Sequence, residues 1–232
     1  MVEQTSYKRL VDGPIPSIPM MLKLKKEGDV PIPSWPRCAS VEQASSNFMK
    51  KVFIIHGFEG SPNGGWRPWL MTELGKQEVY ACALSMPTPE NPICKEWIDE
   101  ISRHIKRNSK DEIYLVAHSL GVTAILRYLE SIQAKSILGA VLVSGPSKNN
   151  DNSKINNFLD KNFNFEKIKS NCKQFSIIHG DNDSIVTLDN AKFLSQQLNC
   201  NLIVVENGGH LNGSAGWFKL QQCLEALNKM MK

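Results

Sequence analysis

The chain has 232 residues, of which 41% are hydrophobic and 22% are charged, and its formal net charge at pH 7 is +4. This is the composition of an ordinary globular protein that is long enough for one well-filled core. The basic residues form no cluster beyond KLKK at 23–26 and do not alternate with aromatic residues, so we expect no nucleic-acid partner. The longest apolar run, ILGAVLV at 137–143, is too short to span a bilayer.

Six cysteines occur in the chain, and none stands in a CxxC pair or in the Cys/His spacing of a zinc site. Glycine motifs that bind nucleotide phosphates or dinucleotides are also missing, so we predict no metal and no cofactor. The N-terminus lacks a basic start followed by an apolar stretch, and we expect a soluble, cytoplasmic protein with reduced cysteines. The sequence is compatible with a protein partner but gives no specific sign of one.

The prolines divide the chain into two unequal parts. Six of the 12 prolines fall within the first 36 residues, and none follows Pro146. Because prolines separated by one residue favour extended backbone, we predict that residues 1–48 form a proline-rich arm, extended or partly disordered. Residues 49–232 are then the folded domain. The arm could serve as a lid over a pocket or could simply dock on the domain surface.

From residue 51 onward the predicted strands and helices alternate. Strands are predicted at 51–57, 79–85, 112–118, 137–143, 174–180 and 201–206, and helices near 66–76, 95–107, 120–132, 188–198 and 215–230. This alternation predicts an α/β fold with a doubly wound, mostly parallel sheet of about six strands and helices on both faces. The Asn-rich connector between the fourth and fifth strands is too short for a large cap domain.

The first predicted strand ends in HGFEG at 56–60. Gly57 would allow the backbone to bend beneath a ligand, and the backbone N–H of Phe58 is then a candidate donor to a developing oxyanion. The alternative is a strand that merely ends in a glycine turn. The tryptophans in WRPWL at 66–70 are interpreted as packing residues.

The third predicted strand leads into AHSLG at 117–121 and then into an apolar helix. A serine at such a strand-to-helix junction is held above the sheet edge, where the N–H of Leu120 and the helix N-terminus favour negative charge. Gly121 satisfies the need for a small residue, and Ala117 stands where the pattern GxSxG has its first glycine. The alternative is that Ser119 only caps the helix.

Two later strands are also followed by polar motifs, HGDND at 179–183 and GGH at 208–210. Since the carboxyl ends of parallel strands meet at one edge of a sheet, we expect Asp183 and His210 to approach Ser119 there. Asp181 competes with Asp183 for the role of the acid, because either side chain could instead close a turn.

The order Ser119, Asp183, His210 is the order in which α/β-hydrolases carry their triad. Residues 51–228 resemble the α/β-hydrolase superfamily, and most of all the small family of retinoblastoma-binding protein nine and its bacterial relatives. The likeness rests on HGF before a Trp-rich helix, on AHSLG and on GGHLNGSAGW at 208–217. It implies a serine hydrolase that cleaves an ester, thioester or amide of a small acyl substrate, with Asp183 as the triad acid.

The resemblance leaves other readings open. A non-catalytic protein-binding module could keep the same fold, and the same triad also serves thioesterases, peptidases and perhydrolases. The N-terminal arm departs from the family pattern and leaves access to the pocket undecided.

Overall fold

The computed structural model describes residues 49–105, 111–133, 137–148 and 152–232, and the predicted proline-rich arm at 1–48 lies outside them. Strands and helices alternate through the described part of the chain, as predicted. The strands are β1 (Lys50–Ile55), β2 (Tyr80–Leu84), β3 (Glu112–His118), β4 (Ile137–Val143), β5 (Phe175–Gly180) and β6 (Asn201–Val205). The helices are α1 (Arg67–Gly75), α2 (Cys94–His104), α3 (Leu120–Ser131), α4 (Asn156–Leu159), α5 (Phe165–Asn171), α6 (Leu188–Leu198) and α7 (Gln221–Met230).

The strands form one parallel sheet in the order β2-β1-β3-β4-β5-β6. The order reverses direction after β1 and β2, so the chain winds first towards one edge and then towards the other. The prediction of a doubly wound parallel sheet is confirmed. All carboxyl ends therefore lie along the same edge, where the loops after β1, β3, β5 and β6 come together.

The sheet separates two apolar layers. Along β1, Phe53 and Ile55 belong to the layer that contains the buried residues of α2, α3 and α6, whereas Val52 and Ile54 belong to the layer of α1 and α7. Because both faces of the sheet are covered by helices, the strands are apolar at nearly every position instead of alternating. No helix in the described ranges is both long and apolar enough to cross a bilayer.

The last helix begins later than predicted, at Gln221 instead of 215. Residues Gly213–Ala215 form a short 3-10 turn, and the side chain of Asn212 accepts a hydrogen bond from the Ala215 amide at 2.9 Å. Gly216 follows with φ 82°, a left-handed conformation that ends the turn. The helical prediction for 215–220 was therefore wrong.

The connector between β4 and β5 contains two short helices, α4 and α5, that the sequence did not predict. Phe158 and Ile168 are completely buried and dock these helices on the layer of α2 and α3. The side chain of Asn164 caps α5 by accepting from the Lys167 amide at 3.0 Å. As predicted, the connector forms no large cap domain.

Helix α3 approaches the end of β1 closely at Gly121. A Cβ atom there would lie 2.6 Å from the carbonyl oxygen of His56 and 2.7 Å from that of Ile55. Both atoms belong to the backbone and cannot rotate away, so only glycine fits this crossing without moving a strand or a helix.

We expect Gly121→Ala to lower the free energy of unfolding by about 1–3 kcal/mol, because the added methyl group overlaps backbone atoms. Urea unfolding of the wild type and the variant measures the difference. The matched control is Gly75→Ala at the end of α1, where a Cβ atom would meet nothing within 4 Å. That variant should be neutral or slightly more stable, and equal unfolding midpoints for all three proteins would contradict the prediction.

Candidate active site

Ser119 occupies a strained turn between β3 and α3. Its backbone has φ 53° and ψ −125°, a conformation that costs a non-glycine residue on the order of 1–3 kcal/mol. The Ser119 amide donates to the carbonyl of Val143 on β4 at 2.8 Å, whereas its side chain makes no cap hydrogen bond to α3. A role as a helix cap explains neither the strained backbone of Ser119 nor its lack of a capping hydrogen bond. This combination is typical of a nucleophilic serine on a strand-to-helix turn.

The loop after β1 runs directly against this serine. A Cβ atom on Gly57 would lie 2.7 Å from the Cβ and 3.2 Å from the Oγ of Ser119, which explains the glycine at this position. Phe58 and Leu120 line the same cavity as Ser119. Leu120 is the first residue of α3, so its amide has no acceptor within the helix.

Asp183 and His210 are in direct contact at the same edge of the sheet. The Nδ1 atom of His210 donates to Oδ2 of Asp183 at 2.8 Å, and both residues are buried. The other carboxylate oxygen accepts from the amides of Ile185 and Val186, each at 2.9 Å. The side chain of Asp181 points elsewhere and accepts from the Asn207 amide at 2.8 Å. Asp183, not Asp181, is the carboxylate beside the imidazole.

These contacts keep Asp183 ionised. Burial alone would raise the pKa of its carboxyl group, but the hydrogen bonds from His210 and the two amides outweigh burial and hold that pKa below its ordinary value. An ionised Asp183 is an acceptor only, so the proton of the shared hydrogen bond belongs to Nδ1 of His210. The Nε2 atom of the neutral ring is then the one free to accept a proton.

The loop that carries His210 is fixed through its main chain. Three side chains donate to its carbonyl oxygens: Trp66 to Leu211 at 2.8 Å, His118 to His210 at 2.9 Å and Trp217 to Gly208 at 2.7 Å. Trp66 is completely buried and packs, as predicted, but its indole N–H also anchors this loop. Sequence reasoning missed these hydrogen bonds: those of Trp66 and His118 join segments that are 145 and 92 residues apart, and that of Trp217 depends on the fold of the loop itself.

Two other histidines around the site are buried and neutral. The Nδ1 atom of His56 donates to the Gly57 carbonyl at 2.8 Å, and its Nε2 atom accepts from the Met86 amide at 3.2 Å. Burial lowers the pKa of His56 to about 4. Burial, together with the neighbouring His210, lowers the pKa of His118 to about 3. Both imidazoles serve as structural hydrogen-bonding groups at neutral pH.

The candidate residues border a cavity of about 490 Å³. Ser119, His210, Phe58 and Leu120 line it, together with the guanidinium-bearing side chain of Arg67, which the sequence did not single out. The position of Arg67 after GGW does not indicate that it lines a cavity, because an arginine in the first turn of a helix is normally exposed. Among the described residues, no group of three or more His, Cys, Asp or Glu side chains is arranged to hold a metal ion.

A doubly wound parallel sheet with a serine on a strained strand-to-helix turn, and an Asp–His pair from later strands at the same edge, defines the α/β-hydrolase class. The chain belongs to the serine hydrolase family, whose model matches residues 52–229. The family resemblance expected from the sequence is confirmed.

Two relatives and two solved structures illustrate the likeness. YdeN of Bacillus subtilis (strain 168) is 37% identical over 173 residues, which are 74% of this chain and 90% of YdeN. Serine hydrolase RBBP9 of Rattus norvegicus is 23% identical over 169 residues, 71% of this chain and 88% of RBBP9. The crystal structure of the B. subtilis ydeN gene product has a TM-score of 0.74 at 35% identity and covers 79% of this chain and 99% of that chain. Est1E from Butyrivibrio proteoclasticus has a TM-score of 0.63 at 16% identity over 79% of this chain and 89% of its own, a likeness of fold alone.

The burial of neutral His56 predicts a loss of stability in acid. Its pKa is about 4 in the folded protein and 6.5 ordinarily, so the unfolded chain takes up a proton first and stability falls as the pH falls from 6.5 towards 4. Once the pH is below both pKa values, the loss of stability relative to neutral pH amounts to about 3 kcal/mol. In His56→Gln, whose amide can both donate and accept, the free energy of unfolding should depend less on pH. Urea unfolding at several pH values between about 4 and 7.5 measures it, and a pH dependence equal to that of the wild type would overturn the assignment.

Proposed function

We propose that this serine hydrolase cleaves an ester, thioester or amide of a small acyl substrate through an acyl-enzyme intermediate, with residues 49–232 as the catalytic domain. Ser119 is the nucleophile, His210 the general base and Asp183 the acid that orients His210. The observation that carries the proposal is the buried 2.8 Å hydrogen bond from His210 to Asp183, together with the strained Ser119, which lines the same cavity as His210. A carboxylesterase-like activity fits these groups, and thioester or peptide bonds are open to the same chemistry.

In the first half-reaction, the Oγ atom of Ser119 attacks the substrate carbonyl carbon while its proton passes to Nε2 of His210. The imidazolium that forms is stabilised by the ionised carboxylate of Asp183 through the Nδ1 hydrogen bond. When the tetrahedral intermediate collapses, the bond to the leaving group breaks and His210 returns the proton to that group. The acyl group remains as an ester on Ser119.

The negative charge on the carbonyl oxygen needs donors that are already in position. We assign this role to the backbone N–H groups of Phe58 and Leu120, which come from the loop after β1 and from the start of α3. The N-terminus of α3 adds favourable potential at the same point. Since both donors are main-chain groups, the residue types at these positions matter less than the bends at Gly57 and Ser119.

In the second half-reaction, water attacks the acyl-enzyme and gives its proton to His210. The acyl–oxygen bond then breaks, the acid is released and Ser119 recovers its proton from the imidazole. Each bond change is balanced by a proton on His210, and the sequence of steps needs no cofactor.

Ser119→Ala should lower the rate of p-nitrophenyl acetate hydrolysis by several powers of ten, because no other group in the proposal can carry the acyl group. Circular dichroism of the variant should match that of the wild type. A fluorophosphonate probe should label the wild type at Ser119 and leave the variant unlabelled. Hydrolysis by the variant at the wild-type rate would show that Ser119 is not the nucleophile. A wild-type Ser119 that the probe does not label would favour the non-catalytic binding module.

The two aspartates of HGDND allow a matched comparison. Asp183→Asn should lower kcat by about 10³- to 10⁴-fold, because the amide cannot hold the Nδ1–H tautomer or stabilise the imidazolium. Asp181→Asn should stay within about threefold of the wild type, because its Oδ1 can still accept from the Asn207 amide. Steady-state kinetics on one ester compares the variants. A larger loss in Asp181→Asn than in Asp183→Asn would show that the acid is misassigned.

A further inference from the structure

Arg67 is a buried arginine whose charged end lies at the wall of the candidate active-site cavity. It is the first residue of α1, and only 6% of its surface is exposed. Arginine side chains normally extend their charged ends into bulk water, so this degree of burial is unusual. The guanidinium instead lines the same cavity as Ser119 and His210.

The positive charge of Arg67 has no counter-ion among the described residues. Its Nε donates to the Ser61 carbonyl at 3.0 Å, and its other N–H groups have no acceptor in the described parts of the chain. Within those parts, no carboxylate oxygen lies within 4.0 Å of the guanidinium. Burial lowers the pKa of Arg67 to about 10, which leaves it protonated at neutral pH. A buried, unpaired charge is costly and normally has a partner.

The surrounding backbone leaves room for this guanidinium. A Cβ atom on Gly64 would lie 2.4 Å from Nη2 of Arg67, so a larger residue there would displace the charged end. On another side, the guanidinium carbon lies 5.9 Å from the centre of the Trp66 ring. Trp66 is itself tied to the loop of His210 through Leu211. Arg67 is thus held in the wall of the cavity that Ser119 and His210 also line.

We propose that Arg67 is a specificity-determining residue that binds a carboxylate of the substrate, so that the preferred substrates are acyl compounds with a free carboxylate. This inference rests on the proposed hydrolase function of the same cavity. A carboxylate forms paired hydrogen bonds with a guanidinium. It would supply the acceptors that the remaining N–H groups of Arg67 lack among the described residues.

The charge balance of the cavity favours a single negative charge on the ligand. Arg67 is the only Lys or Arg among the described residues that line it, and the exposed Glu59 lies on the same lining. A phosphate dianion would lack a second cation and would be repelled by Glu59. A carboxylate is neutralised by Arg67 alone.

The test compares pairs of esters in which one member carries a carboxylate and the other an uncharged group at the same position. The acyl arm pairs p-nitrophenyl hydrogen adipate with p-nitrophenyl hexanoate, which have equal chain length. The leaving-group arm pairs the acetate of 4-hydroxybenzoate with the acetate of its methyl ester. We expect the wild type to prefer the anionic ester by about tenfold or more in kcat/KM in one of the arms, and the preferred arm identifies which half of the substrate carries the carboxylate.

Arg67→Gln should abolish that preference, measured within each variant as the ratio of kcat/KM for the anionic and the uncharged ester, and Arg67→Lys should restore part of it. The control is Lys154→Gln, which removes an exposed cation whose Nζ lies 5.8 Å from the centre of the Phe58 ring. This variant should keep the preference, because simple attraction between distant charges is not the cause. Loss of the preference in Lys154→Gln but not in Arg67→Gln would overturn the assignment.

Ligand affinity can be measured without turnover and without any substitution at Arg67. Calorimetry with the Ser119→Ala full-length protein should detect tighter binding of monomethyl adipate than of dimethyl adipate, or of 4-hydroxybenzoate than of its methyl ester. If uncharged esters are cleaved in a Ser119-dependent manner but neither charged ligand is preferred in rate or binding, the inference about Arg67 is wrong and the hydrolase proposal stands. If no ester is cleaved and the probe does not label Ser119, the hydrolase proposal itself fails, while a binding preference would still identify a carboxylate site.

Discussion

The left-handed backbone of Ser119 is the constraint on which the other parts of the site depend. A serine at φ 53° relaxes unless its surroundings hold it, and here the surroundings are backbone on two sides. Gly57 brings the loop after β1 against the serine, and Gly121 brings α3 against the end of the same strand. The distances at both glycines leave no space for a methyl group. The turn at Ser119, the position of the Leu120 amide and the direction of α3 are consequently fixed by one crossing of β1 with α3.

Around that crossing, two buried histidines form hydrogen bonds as neutral rings. Both ring nitrogens of His56 are used, one as donor and one as acceptor, and this joins the end of β1 to the chain after β2. His118 donates to the main chain of His210. The neutral rings of His56 and His118 add no positive charge near Asp183, whose Oδ2 lies 2.8 Å from Nδ1 of His210 and 3.4 Å from Nε2 of His179. His56 and His118 thus contribute hydrogen bonds but no charge to the site at neutral pH.

The sequence predicted those parts of the molecule that have a local cause. Buried strands between turn residues have short, continuous apolar patterns, so the sheet and most helices were found. Ser119 and His210 stand out because glycines and strand ends flank them. Helices α4 and α5 were missed, since their stability comes from Phe158 and Ile168 docking on other helices rather than from an amphipathic pattern. The choice between Asp181 and Asp183 needed the hydrogen bonds of both carboxylates, and the burial of Arg67 needed the tertiary structure.

The anchors of the His210 loop have a consequence for how such an enzyme can diversify. The side chains of Trp66, His118 and Trp217 donate hydrogen bonds to main-chain carbonyl oxygens of the loop and not to its side chains. Every residue type has such a carbonyl oxygen. Ser214 belongs to this loop and lines the cavity, and within the described parts of the chain its side chain bonds only to Asn212, two residues away. Evolution can therefore exchange side chains at that wall for a new substrate while the imidazole keeps its place. In this architecture, the side chains that line the cavity can change without moving the imidazole of His210.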